Sequence, residues 1–171
     1  MVNKKQIFIF ACLGFGLFWV LSQAISSADD NPYTRVSLKG INGVQVKISI
    51  SRTLEQLGLK KEDMQLEVES ILKTAGIKLL NETERTNAPG RPLFEVRITG
   101  SKLSKPSIYL YDINFFVFQD VILKREPSAI LSAATWSKKI SGNSGSLEDI
   151  AGLTKTGIEM FLRSYGSVNP K

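Results

Sequence analysis

The chain has 171 residues, with 22 Lys plus Arg against 16 Asp plus Glu, one cysteine and no histidine. The missing histidine excludes Ser-His-Asp and Cys-His catalysis and removes the commonest zinc ligand. A lone cysteine excludes an intrachain disulfide framework, so a domain of this length must be held by its own core.

Lys4 and Lys5 precede an apolar run from Ile7 to Leu21. Small residues then stand at the −3 and −1 positions of two cuts, after Ala24 and after Ala28. A basic start, an apolar stretch and a small-residue exit read as an export signal. The rival is an uncleaved membrane anchor, although the run is shorter than the ~20 residues a spanning helix needs. Cys12 is a poor lipidation site, because Phe10 lies close before it and the apolar stretch continues beyond. The expected organisation is a signal peptide over residues 1–28 and a single α+β domain over 29–171. The expected location is periplasmic or secreted, with membrane contact only through this N-terminal segment.

Residues 43–51 alternate, with Val44, Val46, Ile48 and Ile50 on one side and Gln45, Lys47, Ser49 and Ser51 on the other. This is a half-buried strand, which residues 37–43 would extend through a bend. Met64, Val68, Ile71, Leu72 and Ala75 recur at helical spacing. Glu62 and Asp63 suit the first turn of that helix, and Gly76 with Ile77 suits its end. Residues 77–80 read as a short strand and 81–92 as a polar loop broken by Pro89, Gly90 and Pro92. Phe94, Val96 and Ile98 alternate with Glu95, Arg97 and Thr99 in the next strand.

Residues 108–123 predict one long strand. Tyr109, Tyr111, Ile113, Phe115 and Val117 form its apolar side, while Leu110, Asp112, Asn114, Phe116, Phe118, Asp120 and Ile122 form the other. The apolar alternation falters at Gln119–Asp120, which marks a candidate bulge. A fifth strand over 129–140 and a loop over 141–146 follow. Ser146 then caps a final helix, with Asp149 in a capping-box-like place. Gly152 and Gly157 inside that helix suggest close backbone packing, or a marginal surface helix. The order β-α-β-β-β-β-α predicts a two-layer α+β sandwich. Its five-stranded sheet is mixed and mostly antiparallel, with two helices on one face.

Helices on one face leave the other open. Phe116 and Phe118 form a candidate contact face there, joined by Trp136 in one of the two registers open to the fifth strand. The plainer reading is an aromatic cluster that only packs across strands. Lys102, Lys105, Lys138 and Lys139 form a candidate anion patch where strand ends meet. The plainer reading there is lysines that keep strand ends soluble.

"GVQVKI", "EVESILKTAGIKLL", "LFEVRI", "AATW" and "FLRSYGSVNPK" resemble a family of small exported bacterial proteins of uncharacterised function. The layout is more loosely similar to envelope-assembly accessory lipoproteins, which carry an anchor cysteine, whereas Cys12 here is not a convincing one. The resemblance implies export but no activity or catalytic residues. The functional expectation is a non-enzymatic binding or envelope-assembly module without cofactor. Its partner would be an envelope protein or an anionic envelope component, and not nucleic acid. The alternatives are a carrier or sensor of a small apolar ligand held between helices and sheet, and, more remotely, an enzyme built on carboxylates.

Overall fold

The computed structural model describes residues 29–104 and 107–170. The N-terminal stretch expected to be an export signal, Cys12 and Lys105 lie outside them. Five strands form one sheet: β1 (Gly43–Ile50), β2 (Lys78–Leu79), β3 (Leu93–Ser104), β4 (Ser107–Leu123) and β5 (Glu126–Ser144), in the spatial order β2-β1-β3-β4-β5. β1 is parallel to both β2 and β3, and β3, β4 and β5 form an antiparallel meander. The described residues form five α-helices: α1 (Pro32–Arg35), α2 (Arg52–Gln56), α3 (Lys61–Thr74), α4 (Glu82–Asn87) and α5 (Leu147–Val168). Of these, α3 and α5 are the long ones, and both pack on the same side of the sheet, α3 against β1 and α5 against β4 and β5. The expected α+β sandwich is therefore present.

The core follows the alternation. Val44, Ile48, Phe94, Val96, Ile98, Ile113, Phe115 and Val117 are buried under Met64, Val68 and Leu72 of α3 and Ile150, Ile158 and Phe161 of α5. Phe161 stacks on Phe94 with ring centroids 4.4 Å apart and meets Trp136 edge-on at 5.3 Å. Such pairs contribute ~0.5–1.5 kcal/mol beyond the area they bury. The two glycines of α5 behave differently. A Cβ at Gly152 would meet nothing within 4 Å, whereas one at Gly157 would lie 2.0 Å from the Phe115 ring. At Gly157 the helix backbone thus lies directly against the Phe115 ring of the sheet.

Four local expectations are corrected. Residues 36–38 form a 3-10 turn rather than a strand extension. The expected loop after Asn81 contains α4, whose capping box is closed in both directions: Glu84 N donates to Asn81 Oδ1 at 2.8 Å, and Asn81 N donates to Glu84 Oε2 at 3.0 Å. β5 runs on through the expected loop to Ser144. The pairing of β4 with β5 shifts register between Val117 and Phe118 and again between Ile122 and Leu123, not at Gln119–Asp120. Val117 pairs with Trp136 and Phe118 with Ala134, so Thr135 is the extra residue on β5. Gln119 Nε2 donates to Thr135 Oγ1 (2.7 Å) and to the Ser37 carbonyl (2.9 Å), and Ser37 Oγ donates to the Thr135 carbonyl (3.1 Å). Together these bonds satisfy the polar groups that the bulge releases from the ladder.

The N-terminal segment is tied down by a carboxylate. Asp30 accepts from the Trp136 indole N–H at 3.1 Å and from Arg35 Nε at 2.6 Å. Burial pushes the Asp30 carboxyl up, but hydrogen bonds from Arg35, Trp136 and Ser164 and the Arg35 charge outweigh it, leaving the group below its ordinary value. A depressed native pKa gives stability that is full above the unfolded value of ~3.9 and is lost as pH falls through the native one. Urea titrations from about pH 6 to 2 should show the advantage of wild type over Asp30→Asn shrinking below about pH 4. An advantage that grows on acidification would refute this role.

Candidate functional site

A cleft of about 670 Å³ opens at the end of the sheet where β1, β2 and β3 begin. Gly43 opens β1, Lys78 opens β2 and Pro92 precedes β3, and all three line it. Its walls are the loop 39–42, Thr83, Glu84 and Asn87 of α4, the turn 88–90, Leu80 and Gln119.

Both walls are fixed. On one side Tyr165 Oη of α5 donates to the Ile41 carbonyl at 2.6 Å. Asn169 Nδ2 donates to the Leu38 carbonyl at 2.9 Å, and Gly40 N donates to Asn169 Oδ1 at 2.8 Å. Burial raises the Tyr165 hydroxyl above its usual pKa, which keeps it a donor. On the other side Arg91 holds φ +43°, in the left-handed region. That conformation costs an L-residue with a Cβ roughly 1–2 kcal/mol, and its surroundings hold it in place. The Arg91 guanidinium pairs with Asp120, Arg85 Nη1 donates to the Arg91 carbonyl at 3.1 Å, and Asp120 N donates to the Gly90 carbonyl at 2.7 Å. Lys78 Nζ stands 2.8 Å from Glu84 at the rim. The Glu84 carboxyl is held low by its hydrogen bond from Lys78, then by the Asn81 backbone.

The face opposite the helices answers what lies behind β4. Phe116 and Phe118 are half-buried there, with ring centroids 5.5 Å apart and planes tilted by 43°. The Arg97 guanidinium carbon lies 5.3 Å from the Phe116 centroid, a cation–π contact worth ~0.5–1 kcal/mol at an exposed site. Glu95, directly opposite Phe116, is only 4% exposed although it belongs to this outer set. Its carboxylate accepts from Ser49 Oγ (3.0 Å) and Arg97 Nη2 (3.1 Å), with Lys47 Nζ at 3.5 Å. The aromatic pair therefore borders a closed polar network.

Trp136 does not join this face. It is fully buried on the helix side, opposite Val117, because the Thr135 bulge sets the register that turns it inward. The lysines are not gathered either. Lys102 pairs with Tyr109, while Lys139 pairs with Asn114, five residues further along β4 and so about 17 Å away at the strand rise. Lys138 and Lys139 project to opposite sides of the sheet, as neighbours in a strand must. Lys138 Nζ lies 3.8 Å from Asp29, Lys139 Nζ 2.8 Å from Asp112, and Lys102 Nζ 5.2 Å from the Tyr109 centroid.

Beyond Phe118, the last β4 residue paired with β3, β4 continues with β5 as its only strand partner. This two-stranded ribbon extends past the cleft end of the sheet. Its Ile122 and Ile130 are directly paired and 64% and 59% exposed, and Leu131, paired with Val121, is 49% exposed.

Among the described residues no group of three or more Asp, Glu or Cys gathers as a metal site. The carboxyls of Asp30, Glu82, Glu84 and Asp112 are all held below their ordinary values. No family model matches the chain, and no curated protein or solved structure matches it. Among the described residues no helix is long and apolar enough to cross a membrane.

Proposed function

We propose that the chain is an exported, non-enzymatic binding module that takes an apolar or amphipathic ligand group at the cleft end of its sheet. The observation that carries this is the cleft itself, about 670 Å³ in volume, with both walls fixed by hydrogen bonds from other elements. Ligand sites are commonly preformed concavities of roughly 300–1,000 Å³ with a few placed polar groups. Here Lys39, Lys78, Asn87 and Gln119 supply those groups. The close approach of Gly157 to Phe115 weighs against a ligand held between helices and sheet. The export reading rests on the N-terminal sequence pattern.

Thr83 is exposed on α4 and lines the cleft, so Thr83→Trp should fill it without disturbing the core. Binding of an anilinonaphthalene sulfonate dye should weaken about tenfold in this variant, with the melting temperature unchanged. Equal dye binding by wild type and variant would remove the cleft as the site.

A further inference from the structure

We propose that the projecting β4–β5 ribbon docks on an anionic lipid surface, shallowly, at the boundary between headgroups and acyl chains. This contact is separate from the cleft. The ribbon is apolar on both faces, with Ile122 and Ile130 on one and Val121 and Leu131 on the other. A protein surface or groove edge would meet one of those faces, whereas a lipid boundary receives both. Exposed apolar groups clustered in this way are unusual on a protein surface.

Charge points the same way. Lys124 and Arg125 form the turn of the ribbon, both exposed and with no ion pair among the described residues. Their long apolar stems can lie along the boundary while the charged ends reach back to lipid phosphates. The N-terminal chain enters the fold at the base of the ribbon. The 28 residues before Asp29 include the apolar run Ile7 to Leu21. Asp29 joins the sheet beside Ser137 of β5, two residues from the bulge at the base of the ribbon. Tyr33 and Val36, 91% and 63% exposed, follow at once, and Ser37 is hydrogen-bonded to Thr135 and Gln119 at that same base. Any membrane attachment through the N-terminal run would bring the ribbon toward the bilayer, with Tyr33 at the headgroup level where tyrosine is favoured.

The test uses the full chain with Cys12→Ser and a single new cysteine carrying a nitrobenzoxadiazole label, either Ile130→Cys on the ribbon or Leu66→Cys on α3. Leu66 is 67% exposed and lies on a different element. Both labelled proteins share the N-terminal run, so a difference between them reports the ribbon. Vesicles of mixed phosphatidylglycerol and phosphatidylcholine should shift the Ile130→Cys label to the blue and leave the Leu66→Cys label unchanged. Adding Lys124→Gln and Arg125→Gln should reduce the preference for these vesicles over pure phosphatidylcholine by roughly tenfold, since each basic residue near an anionic surface adds several-fold to affinity. An unmoved ribbon label, equal shifts at the two positions, or an unchanged lipid preference would each overturn the proposal.

Discussion

Trp136→Ala is expected to lower stability by about 3–5 kcal/mol, the range for truncating a buried large aromatic. The indole is fully buried, meets Phe161 edge-on and donates its N–H to Asp30. The truncation therefore opens a cavity and also leaves the Asp30 carboxylate, itself poorly exposed, short of one donor. Urea unfolding followed by circular dichroism would measure the loss. A cost below about 1 kcal/mol would mean that the side chain faces solvent.

The second large effect is expected at Gly157. Alanine there gains about 1 kcal/mol in helix propensity. Its Cβ, however, would lie 2.0 Å from the ring of Phe115, which is fully buried, so the ring or the helix must shift. Overpacking of this kind costs ~1–3 kcal/mol and sometimes more, so Gly157→Ala should be clearly destabilising and Gly157→Val worse. Adding Phe115→Leu to Gly157→Ala should recover part of the loss, making the pair less damaging than the sum of the singles. A stabilising Gly157→Ala would show that helix and sheet are not in contact at this point.

Where one element's pattern decides its own structure, the sequence is readable. β1 alternates and is half-buried, and α3 carries its stripe at Met64, Val68 and Leu72. Gly76 sits at φ +85° beyond the helix end, followed by buried Ile77, as its place after the stripe suggests. α4 was also readable, because Asn81 and Glu84 have capping-box spacing, but the breakers Pro89, Gly90 and Pro92 drew the whole segment into a loop. The Trp136 register is of another kind. It depends on an extra residue at Thr135, stabilised by Ser37 and Gln119 from distant parts of the chain, and nothing in the local pattern marks it. The cleft is harder still, since the loop 39–43, Lys78, Leu80, the turn 88–90 and Gln119 are individually ordinary and become a site only when the fold assembles them. Glu95 reads as a solvated outward residue, and its burial goes with its partners Ser49 and Lys47 on β1 and Arg97 on its own strand.

The two ends of the described chain are sewn to each other and to late elements. Asp30 waits for Trp136, and Leu38, Gly40 and Ile41 wait for Asn169 and Tyr165. A chain threaded N-terminus first through a narrow channel would therefore have no way to close its earliest segment until its last helical turn had emerged.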